Sequence, residues 1–226
     1  MKGIGTIILD FDGVLVESVG IKDRAFKEIF SDYPEHVEEI MQYHLSHNAV
    51  IRFEKFKYIF ENILGIDYTE EIEQDLSERY SQLVVDDIIN CPSVAGSVEF
   101  LDYFYKRVPI YVVSVNPKDE LDKIIKERGL SGYFKDVYPV PWKKPDAIRD
   151  ILKREGIGSD QAVFIGDSPE DYKSAMQTGV HFMGRFSGKD FGIVDFSIFR
   201  DFFEIKSFIL HNSTLLNSEK CTNQQG

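Results

Sequence analysis

Cysteine is nearly absent from the chain: Cys91 and Cys221 are the two among 226 residues, and their separation matches no metal or redox spacing. A disulfide framework is thereby excluded, and a reducing compartment is the expected setting. Runs of Lys or Arg are also missing, and 38 acids outweigh 26 bases to give a net charge of −12. That balance excludes a phosphate-backbone binder, because nucleic-acid affinity needs clustered positive charge. The acidity is read as serving solubility. No stretch reaches the roughly 18 apolar residues of a membrane span, and Lys2 leads into a strand pattern instead of a signal-peptide core. A soluble, cytoplasmic protein with no membrane and no nucleic-acid partner is expected. Glycine-rich phosphate loops are lacking too, since Ser187-Gly188-Lys189-Asp190 has neither the upstream glycine nor the hydroxyl residue after lysine.

What is present begins with a core. Hydrophobic residues make up 43% of the chain, with 18 Phe and 11 Tyr, which excludes disorder. Ile4 to Leu9 read as a buried parallel strand that stops at Asp10-Phe11-Asp12-Gly13. Four helical stripes follow without a strand between them. They run through Ile21, Ala25 and Ile29; Val37, Ile40, Met41, His44 and Leu45; Phe53, Phe56, Phe60, Ile63 and Leu64; and Ile72, Leu76, Tyr80, Leu83 and Val84. A stretch this long is no ordinary crossover, so residues 17–90 are read as an inserted helical subdomain.

From Cys91-Pro92 onward, strands and helices alternate. Val94 to Lys106 reads as a helix, Pro109 to Ser114 as a strand, and Asn116 as the N-cap of a helix with Pro117 at its first position. Strands are expected at Asp136 to Val140, Gln161 to Gly166 and Val180 to Gly184. Helices are expected with Ile148, Ile151 and Leu152 inside, with Tyr172, Ala175 and Met176 inside, and over Phe199 to Leu210. The pattern predicts an α/β fold, a Rossmann-like parallel sheet of about five strands with helices on both faces. The core comprises 1–16 and 91–210, the inserted helices 17–90, and 211–226 form a frayed tail.

In such a sheet the strand ends gather at one edge, where ligands bind. Asp10 and Asp12, Ser114, and Asp167 all follow strands, and Lys144 precedes a helix at the same rim. Lys144 stands where an N-cap acceptor belongs, a cation facing the positive end of the helix dipole, and such a broken local rule marks function. Asp171 has a structural reading as well: with Ser168 as N-cap and Pro169 first in the helix, it can close a capping box. Together these residues suit phosphoryl transfer. Asp10 and Asp167 would ligate Mg2+, while Lys144, Ser114 and backbone amides would hold phosphoryl oxygens. One carboxylate would attack phosphorus and the other would move protons.

Asp10-Phe11-Asp12-Gly13-Val14-Leu15, a strand ending in Ser114, Lys144-Pro145, and Gly166-Asp167-Ser168-Pro169-Glu170-Asp171 resemble, in order, the four motifs of the haloacid dehalogenase-like hydrolase superfamily. The resemblance implies Asp10 as nucleophile and Asp12 as general acid/base. It implies Mg2+ held by the Asp10 carboxylate, the Asp12 backbone carbonyl and Asp167, with Asp171 positioning metal-bound water. It further implies Ser114 and Lys144 as phosphoryl ligands, Lys144 being preferred over Lys143 because it precedes proline. The helical insertion resembles the family's cap. The re-entry Pro92-Ser93-Val94 departs from the family's usual Pro-Gly-Val without touching the chemistry.

Because Asp12 is present, dehalogenation, which needs no proton donor, is a poor third choice. The expected activity is that of a Mg2+-dependent phosphatase acting on a small phosphorylated metabolite, a sugar phosphate or a phosphoglycolate-like compound. A phosphomutase of the β-phosphoglucomutase type keeps the same core residues, and an inactive binding module is the non-enzyme alternative, although no motif residue is lost. In the cap, Arg52 and Lys55 lie one helical turn apart and are candidates to meet a second acidic group of the substrate. His44 and His47 carry a weaker signal.

Overall fold

The computed structural model of the chain describes residues 3–47, 50–188, 190–192 and 195–212. Its strands are β1 Thr6–Leu9, β2 Ile110–Val113, β3 Asp136–Tyr138, β4 Ala162–Gly166, β5 His181–Arg185 and β6 Ile198–Phe199. They form one parallel sheet in the order β3-β2-β1-β4-β5-β6. The fold class is as expected, with a sixth strand beyond the five. β6 is two residues long and pairs only through Ile198 and Phe199, too short to leave a periodic signature.

β1 lies between β2 and β4, in register Leu9 with Val112 and with Ile165. Alternation along the strands divides the apolar core between the two faces. Ile7, Leu9, Ile110, Val112, Val163 and Ile165 join the larger cluster, while Ile8, Tyr111, Val113 and Phe164 join the smaller. Every residue of these three central strands is buried, which is why they read as continuous apolar runs.

Between β1 and the next core helix come α1 Val19–Ile29, α2 Val37–Ser46, α3 Arg52–Tyr58 and α4 Glu70–Asn90. α3 runs on into a π-helical turn, Ile59–Leu64, that stops at Gly65, in the left-handed conformation. Phe26, Phe30, Phe56 and Tyr80 pack edge and face at ring-centroid distances of 5.3–6.3 Å to bind this segment together. The stripes drawn from sequence overreach at three places: Leu45, Leu83 and Met176 are exposed. Each sits at the margin of its helix's apolar stripe, where periodicity alone does not decide burial.

The remaining helices are α5 Ser97–Phe104, α6 Lys118–Glu127, α7 Lys144–Glu155, α8 Pro169–Thr178 and α9 Phe202–Asn212. Residues 211 and 212, expected in the tail, instead end α9; the rest of that expected tail lies outside the described residues. Two short crossings join the helical segment to the sheet. Glu17 N–H donates to the Pro92 carbonyl and Val94 N–H to the Leu15 carbonyl, both at 3.0 Å. Arg128 ties this junction from α6's end by donating to the carbonyls of Ile88, Ile89 and Cys91, and Arg185 from β5 by donating to that of Gly13. Among the described residues no helix is long and apolar enough to cross a membrane.

Candidate active site

The end of β1 delivers Asp10 into the gap where the chain leaves for β2 on one side and β4 on the other, the crevice that parallel sheets offer to ligands. Asp10 is buried; its Oδ1 accepts from the Phe11 N–H at 2.7 Å and its Oδ2 lies 2.9 Å from Lys144 Nζ. Burial pushes its pKa up to about 7, aided by the charges of Asp171, Asp167 and Asp12, and the Lys144 ammonium offsets only part of this.

Asp12 has the opposite balance. Burial again raises its pKa, but Lys22, through charge and hydrogen bond, and the donors Ser18 and Asn116 prevail and leave it below the ordinary value. Ser18 Oγ donates to Oδ1 at 2.6 Å; Lys22 Nζ and Asn116 Nδ2 donate to Oδ2 at 2.6 and 2.7 Å. Lys22 also donates to Asn116 Oδ1 at 2.8 Å, so the three side chains close a ring.

Asp167 follows β4, and Asp171 stands on the first turn of α8. Oxygen atoms of Asp10, Asp167 and Asp171 lie within 4.8 Å of one another, and all three residues are buried. Lys144 Nζ donates to Asp171 Oδ1 at 2.5 Å. The N–H of Asp167 and the hydroxyl of Ser168 donate to Asp171 Oδ2 at 3.2 and 2.7 Å. Ser168 Oγ in turn accepts from the Asp171 N–H, so the expected cap exists and the same carboxylate also reaches into the cluster. Gly13, at φ 73°, lets the loop after β1 pass against Asp167; a Cβ there would overlap that carboxylate.

Two local assignments change. Lys144 is the first residue of α7 and Lys143 the cap, because Pro145 fits the second helical position equally well. The structure also separates the two lysines, with Lys144 buried beside Asp10 and Lys143 exposed. Asn116 is not an N-cap: Pro117 takes that place, and the Asn116 side chain turns to Asp12. Ser114 is where expected, at the end of β2, with its hydroxyl accepting the Asn116 N–H at 3.2 Å. Val115, Asn116 and Pro117, not Ser114, form that wall of the cleft.

The cleft, about 90 Å3, has Asp10, Asp12, Lys144, Asp167 and Ser168 on the sheet side. Lys22, Asp23, Phe26, His44, Arg52, Lys55 and Tyr80 line the helical side. Arg52 forks onto Glu120 of α6, at 3.0 and 2.5 Å, and Ser81 donates to the same carboxylate. Arg52 thus ties the helical segment to α6 while lining the cleft. Lys55 is buried with Nζ 3.2 Å from both Nδ1 and the carbonyl oxygen of His44. His47 is exposed and bonds the Tyr43 carbonyl, away from the cleft.

The model of the haloacid dehalogenase-like hydrolase family matches residues 7–185, from β1 to the end of β5. The chain belongs to that family. Within curated proteins, this hydrolase is 25% identical over 185 residues to phosphoglycolate phosphatase 1 of Pseudomonas aeruginosa, covering 77% of the chain and 66% of the relative. Two further phosphoglycolate phosphatases, from Photobacterium profundum and Pseudomonas fluorescens, are matched over 45% and 38% of their own length. Among solved structures, a phosphoglycolate phosphatase so designated by prediction, from Haemophilus somnus 129pt, superposes with a TM-score of 0.72 at 17% identity, over 91% of this chain and 97% of that one. CbbY of Rhodobacter sphaeroides, solved with xylulose-(1,5)bisphosphate, gives 0.69 at 18%, over 88% and 95%.

Lys22, Asn116 and His44 line the cleft and were missed or undervalued in the sequence. Lys22 and His44 look like ordinary members of amphipathic helices, and their partners Asp12 and Lys55 lie ten or more positions away in sequence. The only available signal was Asn116, a polar residue two places after a strand end that also satisfied a capping rule.

Proposed function

We propose that the protein is a Mg2+-dependent phosphatase that hydrolyses a small phosphorylated metabolite through an aspartyl-phosphate on Asp10. The observation that carries this reading is the pairing of two carboxylates with opposite environments. Asp10 stands bare of donors except Lys144 and one backbone amide, and Asp12 is bound by three donors, Ser18, Lys22 and Asn116. An attacking group needs exposed lone pairs, whereas a proton-transfer group needs a fixed position, and this division matches the two roles.

The donor set fits the cation. Hard carboxylate oxygens suit Mg2+, and Asp10, Asp167 and Asp171 bring theirs within 4.8 Å of one another. Asp10, Asp167 and the Asp12 backbone carbonyl would hold it, with Asp171 placing a coordinated water. When bound, it would supply positive charge to the phosphoryl oxygens. Lys144 and Ser114 would bind the same oxygens and lower their repulsion toward the incoming Asp10 carboxylate. Asp10 would form the bond to phosphorus as the ester oxygen leaves with a proton from Asp12, which is ionised beside Lys22 in the free enzyme and must first take that proton from solvent. Asp12 then removes a proton from water, which attacks phosphorus and frees Asp10 and inorganic phosphate. Residues 17–90 would act as a cap that excludes bulk water from these steps.

The phosphoglycolate phosphatases among the relatives support the choice of small phosphate esters as substrates. A panel of such esters, assayed with Mg2+ and after its removal by EDTA, tests the reading. Metal-dependent release of inorganic phosphate is expected. Hydrolysis that survives both EDTA and Asp10→Asn would refute it, and phosphate moved within the substrate without release would indicate a mutase.

A further inference from the structure

Arg185 is the last residue of β5 and is 6% exposed, a cation buried at the sheet edge that carries the carboxylates. In the sheet order β4 lies between β5 and β1, so the loop after β1 stands two strands away. Neighbouring strands are about 4.8 Å apart, and the Arg185 side chain covers that span past the end of β4, where Asp167 leaves the strand. Its Nη1 donates to the Gly13 carbonyl and to Glu17 Oε2, each at 3.0 Å, and its Nη2 donates to Glu17 Oε1. Within the same loop, Gly13 N–H donates to the Val16 carbonyl at 2.9 Å. One guanidinium thus grips this loop at two points.

What the grip fixes is Gly13. A Cβ on that residue would stand 2.2 Å from Asp167 Oδ2 and 2.9 Å from Val19 Cγ2, so its backbone is wedged between the carboxylate and the start of α1. Glycine has more backbone freedom than any other residue and holds such a place only when its neighbours hold it. Both peptide groups flanking its Cα are held here, one through its N–H by Val16 and the other through its carbonyl by Arg185. Because a peptide group is planar and trans, fixing the Gly13 N–H also fixes the direction of the Asp12 carbonyl. As a stabilising device the arrangement is poor: the arginine side chain is buried, whereas that of its partner Glu17 is 42% exposed, and such a pair offsets the desolvation only in part.

We propose that Arg185 is a positioning residue for the cation site: by holding the Gly13 carbonyl from across β4, it keeps the Asp12-Gly13 peptide against Asp167 and so sets the affinity for Mg2+. The inference rests on the Mg2+-dependent reading and deepens it, because Arg185 touches neither metal nor substrate in that scheme and acts only through the backbone. Groups that orient metal ligands without meeting the ion are worth about tenfold to a hundredfold in affinity. The sign of the effect is informative. Removing a positive charge beside a cation site strengthens binding on charge alone, so weaker binding without the guanidinium reports lost position.

Isothermal titration of the metal-free, full-length protein with MgCl2 tests it, with the folding of each variant checked by circular dichroism. Arg185→Met is expected to weaken Mg2+ binding by about tenfold or more. Its hydrolysis of p-nitrophenyl phosphate should need correspondingly more Mg2+ for half-saturation and return towards the wild-type rate once Mg2+ saturates. Should Arg185→Met not fold, Arg185→Lys carries the same expectation at smaller size, since a lysine keeps the charge but cannot serve the Gly13 carbonyl and both Glu17 oxygens in one plane. Mg2+ affinity that is unchanged or tighter in the folded variant overturns the inference and leaves the phosphatase reading standing. So does lower stability with unchanged affinity, the mark of a purely structural arginine. A wild-type protein that binds no Mg2+ overturns both.

Discussion

At the sheet rim, Asp10, Ser114 and Asp167 each follow directly on a buried strand, so backbone register alone brings them together. Across the cleft, Lys22, His44, Arg52 and Lys55 come from three helices, and their positions depend on how those helices pack. The two walls also treat charge differently. On the rim, three carboxylates crowd one ammonium, and Asp10 is left with a pKa near 7. On the helical wall, side chains are matched in pairs, two of them with partners outside that wall: Lys22 with Asp12 of the rim, Arg52 with Glu120 of α6, and Asp23 with His44. Strongly perturbed carboxylates such as Asp10 mark candidate functional sites, and the paired helical wall carries no such group.

The largest effect that would break this contrast belongs to Asp10. Asp10→Asn keeps the shape of the rim but removes the proposed nucleophile, and steady-state kinetics should show turnover down by about a thousandfold or more. Next comes Lys144→Met, which leaves Asp10 and Asp171 buried without their ammonium. Denaturant unfolding of the metal-free protein should show a loss of about 3–5 kcal/mol. The helical wall should respond less. Arg52→Met removes a partly buried ion pair that ties this wall to α6, and the same unfolding experiment should show a loss of about 1.5–3 kcal/mol.

How much of this could be read from the chain follows from the same contrast. The rim was legible because a strand end is a local event: an apolar run stops, and the next polar residue faces the crevice. Asp10, Asp12 and Asp167 were found in that way, Lys144 from its broken capping rule and Asp171 from the helix opening after β4, and Asp10, Lys144, Asp167 and Asp171 are gathered in one place. The helical wall was legible as helices, but which face turns to the cleft is a tertiary fact. Arg52 looked available for substrate and is engaged by Glu120, 68 residues later. His44 looked incidental and holds Lys55. Asn116 satisfied a capping rule on paper, whereas its side chain is engaged by Asp12, 104 positions away. Short β6 escaped because two residues leave no period to read.

The smallest expected effect concerns pH. His44 is buried and its pKa is held below the ordinary 6.5, with Asp23, Lys55 and Lys22 as the charged groups around it. The unfolded chain therefore binds a proton more readily than the folded one as pH falls below 6.5. Stability from this group is fully present above that pH and is lost on acidification down through the lowered folded value. Unfolding midpoints measured across this window should fall more steeply for the wild type than for His44→Gln. Parallel curves would show that the ring is not neutral in the folded protein.

The central claim is that Asp10 alone, among the crowded acids of the rim, takes the phosphoryl group. A single turnover with excess enzyme, Mg2+ and substrate, quenched in acid and mapped by peptide mass spectrometry, tests it directly. The account predicts one phosphorylated peptide, containing Asp10, that disappears as inorganic phosphate is released and is absent from Asp10→Asn. Turnover with no covalent phosphate at any quench time, or phosphate trapped on a peptide without Asp10, would contradict it.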